Sequence, residues 1–339
     1  MNIIRFKKLY LYFSIILLLP GVISLFVFGL NLSIDFTGGA VSTYKILSDQ
    51  SKNLQVSNIE ALQNSTPNLQ TPNINVQTNT IELNDQLVST ILQVYKTNQV
   101  RILDFNVSDS TLLVKTDSID NKKNIYIKEE LSKLNPSIFQ VAFENVGPAV
   151  SKKTTKNALV AIFWASIGIL FFIAFAFRNI PNPYSSFNFG ISAIVAMLHD
   201  ALFLFGIFSI LGKFYNIEID QLFITAVLTV IGFSVHDTIV VFDRIRENLL
   251  KLPKSWNFDK IANYSLVETL SRSYATSLTV IFTLFSLYIL GGESIKNFVL
   301  ALLLGVIVGT YSSVFVATPL LVYLEEIKKA KKSNKTLNL

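Results

Sequence analysis

The chain contains no cysteine, so disulfide and thiol chemistry are closed to it, and any domain outside a membrane must be held by packing alone. Charge is scarce too: 15% of residues are charged, against 51% hydrophobic. Enzyme signatures are missing, with no H-E-x-x-H, no P-loop and no G-x-G-x-x-G. Gly232-Phe-Ser234 with His199 can be drawn as the Ser-His dyad of an intramembrane protease, but that pattern fixes only two residues. Ser234 more simply packs one helical turn before Asp237. The chain therefore reads as a non-enzyme that needs no cofactor and no metal.

What is present is apolar sequence in blocks of about 20 residues, the length that crosses a bilayer. Six spans are expected: Leu9–Leu30, Asn157–Phe177, Phe187–Leu211, Asp220–Phe242, Arg272–Leu290 and Phe298–Tyr323. The fold class is thus a polytopic α-helical membrane protein, its first span an uncleaved anchor. Arg5, Lys7, Lys8, Arg178, the segment 243–271 and the tail 324–339 fall on one side, while the two short opposite loops carry only Lys213 and Lys296. The positive-inside rule makes the richer side cytoplasmic, with both termini there. The net charge of +6 lies in these flanking segments, where it meets lipid headgroups and gives no sign of nucleic-acid binding.

The domains follow: 1–30 for the N-terminus and first span, 31–156 outside the cytoplasm, 157–323 for spans two to six with a cytoplasmic loop at 243–271, and the basic tail. In 31–156, strands are expected at Ala40–Leu47, Val100–Val107, Leu112–Lys115 and Ser137–Phe143, with helices at Asp85–Lys96 and Lys122–Leu134. That β-α-β-β-α-β order is ferredoxin-like. Residues 48–84, rich in Asn, Gln, Ser and Thr, read as a polar insertion. Phe258, Ile261, Ala262, Leu266 and Leu270 recur at helical spacing, either a short amphipathic helix on the membrane surface or a plain connector.

A carboxylate in hydrocarbon costs at least about 2.5 to 3.5 kcal/mol on insertion scales, so one that persists marks an ion or substrate path. Asp237 is such a group, and Arg272, starting the next span on the same side, is within reach of it by depth. Protonating Asp237 would release the Arg and change helix contacts. Asp200 sits near the midplane, about 10 Å deeper, bridgeable by water. His236 and His199 could join as groups that titrate near neutral pH, or simply pack. Asp243, Arg244, Arg246 and Glu247 read as a solvated ion-pair cluster setting a helix end. Gly305 and Gly309 form a G-x-x-x-G for close helix packing.

Several stretches resemble the SecF branch of the SecD/SecF family. They are Ile34-Asp-Phe-Thr-Gly-Gly39, with Asp35, Gly38 and Gly39; Val146-Gly-Pro-Ala-Val150, with Gly147 and Pro148; and Gly232-Phe-Ser-Val-His-Asp237 through Asn248. Leu198-His-Asp200, Glu268 to Ser273, Gly291-Gly292 and Gly305 to Ser313 extend the likeness. The resemblance implies half of an RND-type bundle, completed by the sister subunit SecD, that uses the proton-motive force to assist export of unfolded polypeptide through SecYEG in the bacterial inner membrane. YajC and SecA are further partners it brings in. It assigns proton coupling to Asp237, a functional arginine to Arg272 and a less defined role to Asp200. His236 departs from the family's usual Asn, and the 48–84 insertion enlarges the outer domain. Gly38 and Gly39 then serve either as a flexible joint or for tight packing on the sheet. The competing function is an RND-type exporter of lipid or small molecules, against which the polar outer domain argues.

Overall fold

The computed structural model describes residues 2–46, 85–108 and 111–337, so the insertion expected at 48–84 and the turn at 109–110 lie outside the described residues. Two compact units form, one from Met1–Ser33 with Lys156–Leu339, the other from Ile34–Thr155.

In the first unit six helices are long and apolar enough to cross a membrane. They are α1 (Lys7–Val27), α4 (Pro148–Ala176), α5 (Ser186–Tyr215), α6 (Gln221–Lys251), α7 (Phe258–Leu290), and a sixth span built from α8 (Glu293–Ser312), a π-helical turn (Ser313–Ala317) and α9 (Thr318–Leu337). Helices α5, α6 and α8 make the centre, where Ala196, Leu204, Phe208, Phe223, Ala226, Phe242 and Val299 are buried. Close approach is set by small residues. A Cβ on Gly305 would sit 2.2 Å from a methyl of Val230, and one on Gly206 only 2.6 Å from the Cα of Gly21, so α1 and α5 touch backbone to backbone. The Gly21–Gly206 crossing was not expected from the sequence. Helix α4 meets the bundle near its carboxyl end, where Phe177 packs on Phe189 and Phe242.

The π-helical turn has a local cause. Pro319 has no N–H to give the carbonyl one α-turn earlier, and its ring crowds that carbonyl, so the chain widens just before it. The hydroxyl of Thr318 donates to the carbonyl of Ser313 at 3.1 Å across the wide turn.

The segment 243–271 is not a loop with a separate surface helix. Helix α6 continues to Lys251 and α7 starts at Phe258. Phe258, Ile261, Ala262, Leu266 and Leu270 are buried, so the apolar stripe packs on protein, with Phe258 against Phe189 and Tyr184. The polar residues beside it tie the two helices together: Arg244 bonds Glu247 and Glu268, and Asn248 donates to Ser265 at 2.9 Å.

The second unit carries β1 (Gly39–Ile46), α2 (Asp85–Thr97), β2 (Ile102–Ser108), β3 (Thr111–Thr116), α3 (Asn121–Leu134) and β4 (Ile138–Val146). The sheet order is β2-β3-β1-β4 with every pair antiparallel, the ferredoxin-like arrangement expected from the sequence. Alternation along β3 sends Leu112 and Val114 inward to meet Ile91 and Tyr95 of α2 and Ile127 and Leu131 of α3. Tyr44 and Tyr95 share a hydrogen bond of 2.6 Å in this core, and burial pushes both phenols above their ordinary pKa.

Gly38 and Gly39 have φ of +75° and +127°. A Cβ on Gly39 would lie 2.6 Å from the carbonyl oxygen of Thr116, so both backbone angle and space demand glycine where β1 begins. Of the two roles open from the sequence, tight packing is the one this geometry displays.

Candidate functional site

Asp200 on α5 and Asp237 on α6 are both buried, at 1% and 8% exposure, and both are held by hydroxyls. Asp237 Oδ1 accepts from Ser273 of α7 at 2.6 Å, and Oδ2 accepts from Ser313 at 2.5 Å. Asp200 Oδ2 accepts from Ser234 of α6 at 2.5 Å and from Ser312 of α8 at 2.6 Å, while Oδ1 lies 2.9 Å from His199 Nδ1.

Helix geometry explains why these particular residues converge. Ser234 precedes Asp237 by three positions and so shares its face of α6. Ser312 and Ser313 are consecutive, hence about 100° apart around the axis, and one hydroxyl turns to α5 while the next turns to α6. Gly309, one turn earlier, lets α8 come close: its Cβ would stand 3.2 Å from that of Ser234 and 3.7 Å from Asp200 Oδ2. Beyond it, Thr310 donates to Ser277 of α7 at 2.7 Å. Four helices therefore meet through one run of small and hydroxyl side chains.

The depth separation expected for the carboxylates shrinks accordingly. Asp200 is level with Ser234, which places Asp237 about one helical turn away, about 4.5 Å along the axis rather than 10. Two adjacent serines each hold one of the acids, Ser312 bonding Asp200 and Ser313 bonding Asp237. Each hydroxyl donates to an ionised carboxylate and can turn to accept from a protonated one, so the cluster suits either proton state.

The structure does not bring the other two expected relay residues into this cluster. Arg272 is exposed, and the residue bonded to Asp237 is its neighbour Ser273, so the expected ion pair is not formed within the chain. One step along a helix rotates a side chain by about 100°, enough to turn Arg272 outward. For the same reason His236, next to Asp237, is exposed, whereas His199 is 5% exposed and bonded to Asp200. The sequence alone does not single out Ser273, Ser312 or Ser313 as partners of the acids. The available signal was hydroxyls on spans facing an intramembrane carboxylate. The remaining expected residues lie elsewhere: Asp35 in the short helical turn Ile34–Thr37, and Gly147 and Pro148 at the start of α4.

Among the described residues, six membrane-length helices with a buried pair of carboxylates, and a ferredoxin-like unit after the first helix, define a polytopic membrane protein with an acid pair inside its bundle. Comparison with known proteins narrows this. Residues 126–327 match the model of the protein export membrane protein SecD/SecF C-terminal family, and residues 23–45 match the SecD/SecF GG motif. The chain is 42% identical over 328 residues to the protein translocase subunit SecF of Thermobaculum terrenum, covering 96% of this chain and 94% of that one. It is 35% identical, with the same coverage, to the subunit SecF of Anaerolinea thermophila. Its structure is similar to the crystal structure of SecDF, a translocon-associated membrane protein, from Thermus thermophilus, with a TM-score of 0.72 and 28% identity. This chain is covered over 96% of its length in that match and spans 39% of that chain. The chain belongs to the SecD/SecF family.

Proposed function

We propose that this chain is the SecF-type subunit of a SecDF complex that uses the proton-motive force to assist protein export through SecYEG, with SecA and YajC as further associates and translocating unfolded polypeptide as cargo. The observation that carries the reading is the joined pair of buried acids, Asp200–Ser312 and Ser313–Asp237, at the contact of α5, α6, α7 and α8. In this reading the chain lies in the bacterial inner membrane with both termini cytoplasmic, an orientation supported by the distribution of Lys7, Lys8, Arg178 and the basic tail.

In the mechanism, a proton crossing the membrane passes Asp200 and neutralises Asp237. The charge-assisted bonds from Ser273 and Ser313 become ordinary ones, loosening α7 and the sixth span from α6. Hydrogen bonds to charged groups are worth about 1.5–3 kcal/mol each. One charge crossing 100 mV supplies about 2.3 kcal/mol, a matching scale. The test is export into inverted membrane vesicles containing or lacking this chain: a proton gradient is expected to speed completion of export only where the chain is present. Equal stimulation in both would remove the reading.

Arg272 and His236 fit a different task in the same proposal. Thr225, Thr229 and His236 share one exposed face of α6, and Arg272, Thr276, Thr279 and Thr283 share one exposed face of α7. The threonine hydroxyls bond carbonyls of their own helix, so the cost against lipid falls on Arg272 and His236, which supports a protein cover, the SecD half. There Arg272 would meet acidic groups of the partner. Thr279→Trp is expected to reduce the SecD co-purified in mild detergent by about tenfold, as large side chains on a small-residue helix face hold partner helices apart. Exposed Leu278→Trp, one residue away and about 100° around the helix, is the control and is expected to leave recovery unchanged.

A further inference from the structure

The cluster holds one polar atom that the mechanism above does not use. His199 Nε2 is buried with no hydrogen-bond partner, while Nδ1 of the same ring lies 2.9 Å from Asp200 Oδ1. On the neighbouring helix, the hydroxyl of Thr238, directly after Asp237, is also buried and without a partner. Buried polar atoms in folded proteins are nearly always satisfied, so an orphaned ring nitrogen beside two carboxylates calls for a partner such as a water, which can also deliver a proton to it.

We propose that His199 is a proton-loading site, taking up a proton at Nε2 as the entry to the two-carboxylate cluster. The inference rests on the proton-coupled reading above and adds to it the residue and atom at which the proton arrives.

The tautomer follows from the contacts. Asp200 Oδ2 already accepts from Ser234 and Ser312, and Oδ1 faces the ring. With Asp200 ionised, Nδ1 carries the hydrogen donated to Oδ1, and the lone pair is left on Nε2. A proton from water bonds to Nε2, and the positive charge is held against Asp200. The Nδ1 hydrogen then shifts to Oδ1, leaving a neutral imidazole with hydrogen on Nε2 and a protonated Asp200. One proton enters and none is lost at each stage. A protonated Asp200 no longer attracts both serine hydroxyls as an anion does, and Ser312 is covalently next to Ser313, the residue that holds Asp237.

Few other groups compete for that proton. Among the described residues of the helices packed on α5, Asp237 of α6 is bonded to Ser273 and Ser313 and to neither His199 nor Asp200. Tyr311 of α8 is bonded to Ser14 of α1 at 3.1 Å, and Tyr10 of α1 packs on Phe315. Glu325 of α9 is taken by the backbone of Ser185 and by Asn188, about three helical turns from His199.

Because the chain has two histidines, His236→Asn leaves His199 as its sole imidazole. Nitrogen-15 spectra of that variant, labelled at histidine in the full chain alone and co-assembled with its SecD partner in lipid nanodiscs, report the two ring nitrogens separately. Nδ1 is expected to carry hydrogen at high pH, and Nε2 to change from bare to protonated as pH falls from about 9 to 5. In Asp200→Asn the Nδ1 signal at high pH is expected to move, because the carboxylate that accepts its hydrogen is gone. Hydrogen on Nε2 already at high pH, or no change at Nε2 across the range, overturns the proposal, and the unsubstituted Asp200 protein suffices for that decision if Asp200→Asn does not fold. No gradient or cargo is present, so this outcome is independent of whether export proves gradient-driven. His199→Gln supplies the functional readout: its amide still bonds Asp200, and the pH profile of gradient-stimulated export is expected to lose its dependence on this group, whereas an unchanged profile counts against proton loading.

Discussion

Asp237→Asn is expected to abolish the stimulation of export by a proton gradient while leaving the protein folded and inserted. The substitution keeps shape and one carbonyl oxygen, and Ser273 or Ser313 can turn its hydroxyl to accept from the new amide, so no buried polar atom is orphaned. What disappears is the ability to change charge. Export rates in inverted vesicles carrying the variant should match, with a gradient imposed, those of vesicles whose gradient has been collapsed. Ser313→Ala should sit between the variant and the parent, because the carboxylate is kept but one of its two donors is gone; a bond to a charged group worth about 1.5–3 kcal/mol corresponds to about a ten- to hundredfold reduction in stimulation. Undiminished stimulation in Asp237→Asn would place proton coupling outside this cluster.

The largest expected effect on stability comes from a single methyl group. Gly206→Ala would place a Cβ 2.6 Å from the Cα of Gly21 and 2.9 Å from its carbonyl carbon, and backbone cannot rotate away as a side chain can. Helices α1 and α5 must separate, breaking the Ser24–Ser209 hydrogen bond of 2.8 Å one turn along. Overpacking of this kind costs about 1–3 kcal/mol. The thermal midpoint in detergent is expected to fall by about 2–12 °C, converting at a few degrees per kcal/mol for a chain of this size. Gly168→Ala is the matched control. Nothing lies within 4 Å of a Cβ there, so the gain in helix propensity should leave the midpoint unchanged or slightly higher.

Much of this architecture was legible in the sequence, because its strongest signals are local. Apolar blocks revealed six spans, and the period-two and helical patterns after the first gave all four strands and both helices in their ferredoxin-like order. Asp200 and Asp237 stood out because burying a carboxylate is expensive wherever it occurs. Their partners did not stand out, since which hydroxyl faces which acid depends on how four helices cross. The expectation of Arg272 beside Asp237 falls one residue from Ser273, and of the two histidines read alike only His199 is inside; a rotation of about 100° separates inside from outside, and linear depth cannot see it. The same holds for Gly21 and Gly206, which lie far apart in the chain and acquire meaning only where they touch. The stripe at Phe258 to Leu270 shows the reverse failure: its amphipathic pattern was recognised, but a pattern does not say whether lipid or protein covers it.

The wide turn Ser313–Ala317 acts as a one-residue insertion in the phase of the last span. A regular α-helix through the same stretch would deliver every later residue rotated by about 100°. Leu321 and Val322, now fully buried, would swing off the bundle axis, and Glu325 would lose the backbone of Ser185 and the amide of Asn188. The serine pair that holds the acids and the glutamate that anchors the far end of the same span thus belong to two different helical registers, and the turn that widens ahead of Pro319 is the splice that lets one continuous chain serve both.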